Sequence, residues 1–212
     1  MKYIFELSRR TTLQDDIDLK HQELLTGLSL VNQPFGKNSK IDYQSPFFGN
    51  DMTAIVSLNK ILGSGVKGFV SYRYRRLLDD IAEHDDHIHI TFNTNKINFQ
   101  DFVNSVIKQY IDCFKPYKAV VYNEDLIYDD FEKSRHKNTR KEIFRHYPIA
   151  YYDETFCKEA IKLSANDLYI KIKEKVDTVE LYSNGILITS VIDFVNVEES
   201  NICHNKMSRL LL

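Results

Sequence analysis

The clearest pattern of apolar and polar positions lies between residues 98 and 116. Its apolar residues recur at intervals of three and four, which places them on one face of an α-helix. They are Phe99, Phe102, Val103, Val106, Ile107, Tyr110, Ile111 and Phe114. Asn98, with Asp101 three residues later, suits the cap of this helix, and Pro116 ends it. We predict a helix over 99–114 that covers a β-sheet with its aromatic face.

Runs of β-type residues flank this helix on both sides. Ile88–Phe92 precedes it and Ala119–Tyr122 follows it. A strand, a helix and a strand in this order favour parallel strands joined by a right-handed crossover. We therefore predict that these two strands pair with each other.

Weaker patterns precede this unit. Tyr3–Leu7 is typical of a strand, and Thr12 with Asp15 suits the cap of a helix that carries Leu13, Ile17, Leu24, Leu28 and Val31. Two prolines and two glycines in residues 32–50 predict a long, exposed and mobile connection. Met52–Leu58 predicts a strand. Apolar residues at helical spacing predict a helix over 69–83.

The C-terminal part predicts strands around a helix. Residues 123–142 are typical of a loop or a short surface helix, 147–152 of a strand and 153–163 of a helix. Ile170 and Ile172 alternate with lysines, as in a strand. Asn184-Gly185 lies between two β-rich runs and predicts a hairpin over Val179–Thr189, because Asn and Gly tolerate positive φ in a tight turn.

These elements predict one α+β domain over residues 1–212. We expect a mixed β-sheet, helices packed mainly on one face and a C-terminal β-hairpin. Apolar content of 43% and charged content of 27% are ordinary for a soluble globular protein. A chain of 212 residues also buries enough apolar surface to fold without disulfide bonds or a structural metal.

Composition favours a cytoplasmic protein. The three cysteines, Cys113, Cys157 and Cys203, are odd in number and widely spaced, as expected of reduced thiols. We find neither a signal-peptide core nor a run of 18 apolar residues, so we expect no membrane contact. A formal net charge of −2 argues against a dedicated nucleic-acid binder.

Two acidic segments are candidate partner-binding surfaces. The first contains Asp79, Asp80, Glu83, Asp85 and Asp86, and the second contains Glu124, Asp125, Asp129 and Asp130, with Tyr128 among them. Asp79, Asp80 and Glu83 lie at the C-terminal end of the predicted 69–83 helix, and Asp85 and Asp86 follow it. The helix dipole disfavours negative charge at this end. A solvated, self-paired helix face explains this charge simply, whereas a patch that steers a basic partner is the functional alternative. Aromatic anchors for such an interface are Tyr72, Tyr122, Tyr128, Tyr151 and Tyr152.

The segment His84–His89 is the other candidate for a chemical function. In a strand, His87 and His89 share a face, so two imidazoles and a carboxylate are able to meet a metal. In the simpler interpretation the histidines face solvent and Ile88 and Ile90 face the core. Cys157 and His146 are compatible with a thiol and a base. Motifs of hydrolases, nucleotide-binding loops and zinc sites are missing, so we expect no catalytic residue, no metal and no cofactor.

Three segments resemble a known class of protein. They are FKPYKAVVYNED after the central helix, PIAYYDET, and DTVELYSNGILITS. The order of these segments and of the predicted elements, over most of the chain, resembles that of cytoplasmic immunity proteins of bacterial polymorphic-toxin and type VI secretion systems. No diagnostic motif accompanies this resemblance. The resemblance implies an α+β domain that binds and neutralises a cognate toxin without catalysis, and it implies no residue list.

Two other functions stay open from the sequence. The chain is also compatible with a small metal-dependent or thiol hydrolase that uses His84–His89. A structural or adaptor subunit that docks through the edge of the hairpin is the third interpretation. The oligomeric state is not predicted.

Overall fold

The structure, a computed structural model, describes residues 1–38, 45–46, 53–73 and 84–211. The strands are β1 (Lys2–Arg9), β2 (Thr53–Ser57), β3 (Val66–Arg73), β4 (Asp86–Asn93), β5 (Lys118–Asn123), β6 (Ile149–Asp153), β7 (Thr178–Tyr182) and β8 (Gly185–Thr189). The α-helices are α1 (Ile17–Leu28), α2 (Phe99–Asp101), α3 (Ile107–Phe114), α4 (Ile127–Ser134), α5 (Glu154–Phe156), α6 (Ala165–Ile172) and α7 (Val197–Leu211). Two π-helical turns, Phe102–Val106 and Cys157–Ile161, continue α2 and α5.

The strands form one sheet in the order β2-β3-β4-β1-β5-β6-β8-β7. The predicted α+β class is confirmed, and the predicted hairpin forms one edge of this sheet as β7 and β8. The sheet is antiparallel at every pairing rather than mixed. The predicted parallel pair does not form, because β1 lies between β4 and β5 and pairs with both.

Helices cover both faces of the sheet, not mainly one. Phe5 and Leu7 of β1 belong to the cluster that includes α1 and α3, whereas Ile4 belongs to the cluster that includes α6 and α7. One face of β1 is apolar, whereas the opposite face carries Ile4 together with the polar Glu6 and Ser8, and Ile4 packs in the second layer. No helix in the described ranges is long and apolar enough to cross a membrane.

The central helix confirms the strongest sequence prediction. All eight residues of its apolar stripe are buried between Phe99 and Phe114. The Asn98 side chain accepts a hydrogen bond from the Asp101 backbone N–H at 2.9 Å, as a cap does. The helix ends at Lys115, which adopts a left-handed conformation with φ of 53° just before Pro116.

The predicted helix over 69–83 is wrong where the structure describes it. Residues 69–73 belong to β3, which pairs with β2 and β4 on either side. Val70 and Tyr72 are buried on one face, so the alternation of a strand fits these five residues as well as helical spacing does. Residues 74–83 lie outside the described ranges.

Two further boundaries differ from the predictions. The cap of α1 is Asp16, whose side chain accepts from the Leu19 N–H at 3.0 Å, whereas Thr12 and Asp15 bond each other ahead of the helix. Residues 170–172 lie in α6 rather than in a strand. Ser164 caps this helix, and its buried residues Leu168 and Ile172 are four positions apart.

The connection predicted to be exposed begins inside the core. Phe35 is buried, and its carbonyl accepts a hydrogen bond from the Tyr110 hydroxyl at 2.7 Å. Its ring lies 5.0 Å from that of Phe102. Residues 39–44 and 47–50 of this connection lie outside the described ranges, so their predicted exposure stays a prediction.

The hairpin turn forms for a reason that differs from the prediction. Ser183, not Gly185, takes the positive φ, at 52°. Gly185 is the first residue of β8, and a Cβ atom there would lie 2.1 Å from the carbonyl oxygen of Tyr152. Glycine is therefore required by the close approach of β6.

Candidate functional site

The second acidic segment forms the predicted short surface helix. The Asn123 side chain accepts from the Asp125 N–H at 2.9 Å and starts a 3-10 turn over Glu124–Leu126 that leads into α4. Leu126 is buried and fixes the turn against the sheet. The outer side chains of α4 are exposed to solvent.

Three large apolar side chains are exposed together on α4. Ile127, Tyr128 and Phe131 are 45%, 77% and 58% exposed. Single exposed apolar residues are normal, but neighbours on one helix form a patch of the kind found at protein interfaces. Sequence reasoning identified Tyr128 and missed the other two. The other tyrosines proposed as anchors are buried: Tyr72, Tyr122, Tyr151 and Tyr152.

Acidic side chains surround this patch. Asp125 and Glu132 are exposed, and Glu124 is half-buried and lies 3.3 Å from the Lys2 amino group. The Asp129 carboxylate accepts from Lys133 at 2.6 Å, and this bond holds the pKa of Asp129 below its usual value. We define the α4 patch as Ile127, Tyr128 and Phe131 together with this acidic rim.

Asp130 anchors α4 and is not part of the patch. It is buried and accepts hydrogen bonds from the Arg145 guanidinium and from the Tyr147 hydroxyl, the latter at 2.9 Å. Burial raises its pKa, although the bond from Arg145 opposes the rise. Arg145 also donates to Asn201 of α7 at 2.7 Å. The prediction that Asp130 contacts a partner is therefore wrong, because internal groups occupy both of its oxygens.

Asp85 and Asp86 do not belong to an exposed acidic surface either. Both are fully buried. Asp85 accepts from Arg140 Nε at 3.0 Å and from the Tyr117 hydroxyl at 2.8 Å. Asp86 pairs with Lys20, and burial raises its pKa against the effect of that cation.

Asp85 and Asp86 were predicted to contact a partner, but both form internal ion pairs instead. Each of their cations comes from a segment distant in the chain, so the pairs tie α1 and the segment after α4 to the sheet. The other members of the first acidic segment, Asp79, Asp80 and Glu83, lie outside the described ranges. Their role stays a prediction.

The histidine cluster has the predicted orientation but no complete ligand set. Ile88 and Ile90 face the core, and His87 and His89 share the other face. His87 Nδ1 lies 3.2 Å from Ser8 Oγ, and the His89 ring stacks on Phe69 with centroids 5.3 Å apart. Among the described residues, no group of three or more His, Cys, Asp or Glu is arranged to hold a metal ion. A metal site here would need a ligand from elsewhere.

Cys157 has the environment of a structural cysteine. Its side chain is buried, and burial raises the pKa of the thiol to about 12. The thiolate is the nucleophilic form, so Cys157 is not activated at neutral pH. The thiol hydrolase interpretation gains no support from this residue.

His146 and His204 join the segment before β6 to α7. The His146 backbone N–H donates to His204 Nδ1 at 3.1 Å, and the ring centroids are 5.9 Å apart. Burial, with a smaller contribution from His204, lowers the pKa of His146 to about 4. Its unfolded value is near 6.5, so the unfolded chain binds the additional proton and stability falls as pH drops from about 6.5 to 4.

We predict that this pair makes the protein acid-sensitive. Between pH 7 and pH 5 the wild type should lose about 2 kcal/mol more unfolding free energy than His146→Gln. Denaturant melts at several pH values measure the difference. His136→Gln, at an exposed position, is the matched control and should keep the wild-type slope. Equal slopes for wild type and His146→Gln would contradict the prediction.

Comparison with known proteins shows a likeness in fold. No family model matches the chain, and no curated protein matches it. Among solved structures, the chain is similar to the Pseudomonas aeruginosa T6SS protein PA0821, with a TM-score of 0.56 and 7% sequence identity. The match covers 99% of this chain and 72% of that one. At this identity the likeness establishes a shared fold and nothing more.

Proposed function

We propose that this protein is a non-catalytic immunity protein, which binds the toxin domain of a type VI secretion effector and neutralises it in the cytoplasm. The α4 patch is the observation that carries the proposal. The fold likeness to a Pseudomonas aeruginosa T6SS protein supports the secretion context.

The α4 patch has the composition of an interface centre and its rim. Aromatic residues dominate the binding energy of interfaces, and Tyr128 and Phe131 are both exposed on α4. Polar groups at the rim set partner choice and association rate more than affinity. Asp125 and Glu132 supply negative charge there.

The charge of this rim indicates the kind of toxin. A toxin that acts on nucleic acid needs a basic surface to hold the phosphate backbone. Carboxylates around an apolar centre would be attracted to such a surface and would compete with its substrate. We therefore propose a toxin domain with a basic cleft as the partner, and neither nucleic acid nor a membrane as a direct ligand.

Inhibition by binding requires no catalytic group and no cofactor. A bound protein blocks a cleft by occupying it, so affinity and slow dissociation are sufficient. The ion pair of Asp130 with Arg145 holds α4 in place, which lowers the entropy lost when the patch meets a partner.

The genetic neighbour of this chain supplies the test of the role. We expect the adjacent reading frame to encode a large secreted protein with a toxin-like C-terminal domain. Co-expression of this chain should restore growth of cells that produce the domain, and the two proteins should co-purify. Binding without rescue would favour an adaptor subunit. If the two proteins do not bind and growth is not restored, the immunity role is contradicted.

We predict that the apolar centre of the α4 patch determines affinity. Tyr128→Ala combined with Phe131→Ala should weaken binding of the toxin domain about 100-fold or more, because two anchors are removed. Calorimetry measures the change. Leu30→Ala combined with Ile192→Ala removes two other exposed apolar side chains and should leave the affinity unchanged. An unchanged affinity in the α4 variant would remove α4 from the interface while leaving the role open.

We predict a kinetic effect for the rim. Asp125→Lys combined with Glu132→Lys should slow association with a basic toxin domain and make the association rate less dependent on salt. Stopped-flow measurements at two ionic strengths test this. The same reversal at exposed positions between α6 and β7, Glu174→Lys with Asp177→Lys, is the control for net charge. Identical association rates in both variants would contradict a role for the rim.

A further inference from the structure

A small cavity lies between the sheet and α4. Its volume is about 260 Å³, and residues of β1, β4, β5, α4 and the segment before β6 line it. Its floor is polar, and part of its wall is apolar, formed by Val120, Phe131 and Phe144. Ligand sites for larger molecules span about 300–1,000 Å³, so the size suits a ligand of few atoms.

Three polar side chains form a row across the floor. In the strand register, Ser8 lies opposite His87 of β4 and opposite Lys118 of β5. Cross-strand neighbours on one face have Cβ atoms about 4.5–5.5 Å apart, which brings the three groups within reach of one ligand. Ser8 Oγ lies 3.2 Å from His87 Nδ1. When His87 carries its proton on Nδ1, the Ser8 hydroxyl is left to donate to a ligand.

Lys118 is the cation of this row. Its side chain is half-buried and makes no hydrogen bond or ion pair with any residue in the described ranges. Burial lowers its pKa, and the charges of Glu6 and Asp85 oppose the effect. Neither of these carboxylates forms an ion pair with the partly buried ammonium group, so the carboxylate of a ligand in the cavity would be stabilised beside it.

Glu6 places a negative charge on the same floor. It lies on β1 two residues before Ser8, diagonal to Lys118 and opposite Val120. The Tyr122 hydroxyl donates to one of its carboxylate oxygens at 2.8 Å, and the other oxygen has no partner among the described residues. The floor therefore holds a cation and an anion that do not pair with each other.

We propose that the cavity binds a small zwitterion of the amino-acid class. The carboxylate of the ligand lies against Lys118 and Ser8, its ammonium group pairs with the open oxygen of Glu6, and its apolar side chain contacts Phe131 and Phe144. Glu6 repels a dianion, so inorganic phosphate is excluded. The cavity shares Phe131 with the α4 patch. Binding of the small ligand is measured without a toxin domain, so each proposal is able to fail without the other.

Matched probes test the two ends of the ligand. We expect the wild-type protein to bind L-valine in calorimetry with a dissociation constant of about 1 mM or lower. Isovalerate lacks the amino group and isobutylamine lacks the carboxylate, and each should bind about tenfold more weakly or worse. Phosphate should not bind. No binding of L-valine at about 10 mM, or equal binding of isovalerate or phosphate, would overturn the proposal.

Two variants test which residues bind the carboxylate and the amino group of the ligand. Lys118→Met should abolish L-valine binding, whereas Lys67→Met, at an exposed position on β3, should leave it unchanged. Glu6→Gln should remove the preference for L-valine over isovalerate. This preference is a ratio of two affinities, so it does not depend on the fraction of folded protein. This second variant decides the matter if Lys118→Met does not fold. A preference retained in Glu6→Gln would overturn the assignment.

Discussion

Phe102→Ala should lower the unfolding free energy by about 3–5 kcal/mol, the cost of deleting a packed aromatic side chain. Phe102 is 1% exposed and lies where the central helix meets the sheet. Its ring centroid is 5.0 Å from those of Phe35 and Phe92 and 5.6 Å from that of Phe5. These elements come from distant parts of the chain, so the cavity left by the substitution is not closed by a local shift.

Denaturant melts measure this loss. Phe131→Ala is the matched control, because it removes the same side chain from the surface of α4 and should cost less than about 1 kcal/mol. A loss below about 1 kcal/mol for Phe102→Ala as well would show that the helix does not pack on the sheet as described.

Arg140→Met should cost about 3–5 kcal/mol, because it leaves the fully buried Asp85 carboxylate without its cation. The Tyr117 hydroxyl would still donate to Asp85, but one neutral donor does not replace a guanidinium. Arg140 lies in the segment after α4, so the loss should also loosen the tie between that segment and the sheet.

A double variant separates the buried charge from lost packing. Asp85→Asn combined with Arg140→Met removes both charges and should recover part of the stability lost in Arg140→Met. Arg135→Met, at an exposed position, is the control and should change the unfolding free energy by less than about 0.5 kcal/mol. A double variant less stable than Arg140→Met would contradict the assignment of a buried ion pair.

The central helix was predictable because its signal is local and long. One face is buried over sixteen residues from Phe99 to Phe114, and the period of that face is visible in the sequence. The order of the strands was not predictable in this way. The insertion of β1 between β4 and β5 depends on pairings between residues far apart in the chain, which no local pattern contains.

Short apolar segments were misassigned for a related reason. Residues 69–73 and 170–172 fit helical and strand periods equally, and their partners decide between them. The ladders to β2 and β4 make the first a strand. The Ser164 cap and the burial of Leu168 and Ile172 make the second a helix.

The candidate site was only partly predictable because charge is visible in a sequence and burial is not. Asp129 and Asp130 are neighbours of the same type and both accept from Arg145, yet Asp129 is exposed, whereas Asp130 is buried and also bonded to Tyr147. Asp85 depends on Arg140, 55 positions away. The exposure of Phe131 likewise follows from the anchoring of Asp130, which no local pattern shows.

Inhibition without catalysis is tested most directly by titrating the activity of the neighbouring effector domain with this protein. We predict that inhibition rises linearly and is complete at about one equivalent, as for tight binding. The effector recovered from the complex should then have an unchanged mass and full activity. Complete inhibition at about a tenth of an equivalent, with a covalently altered effector, would show turnover and contradict the binding mechanism.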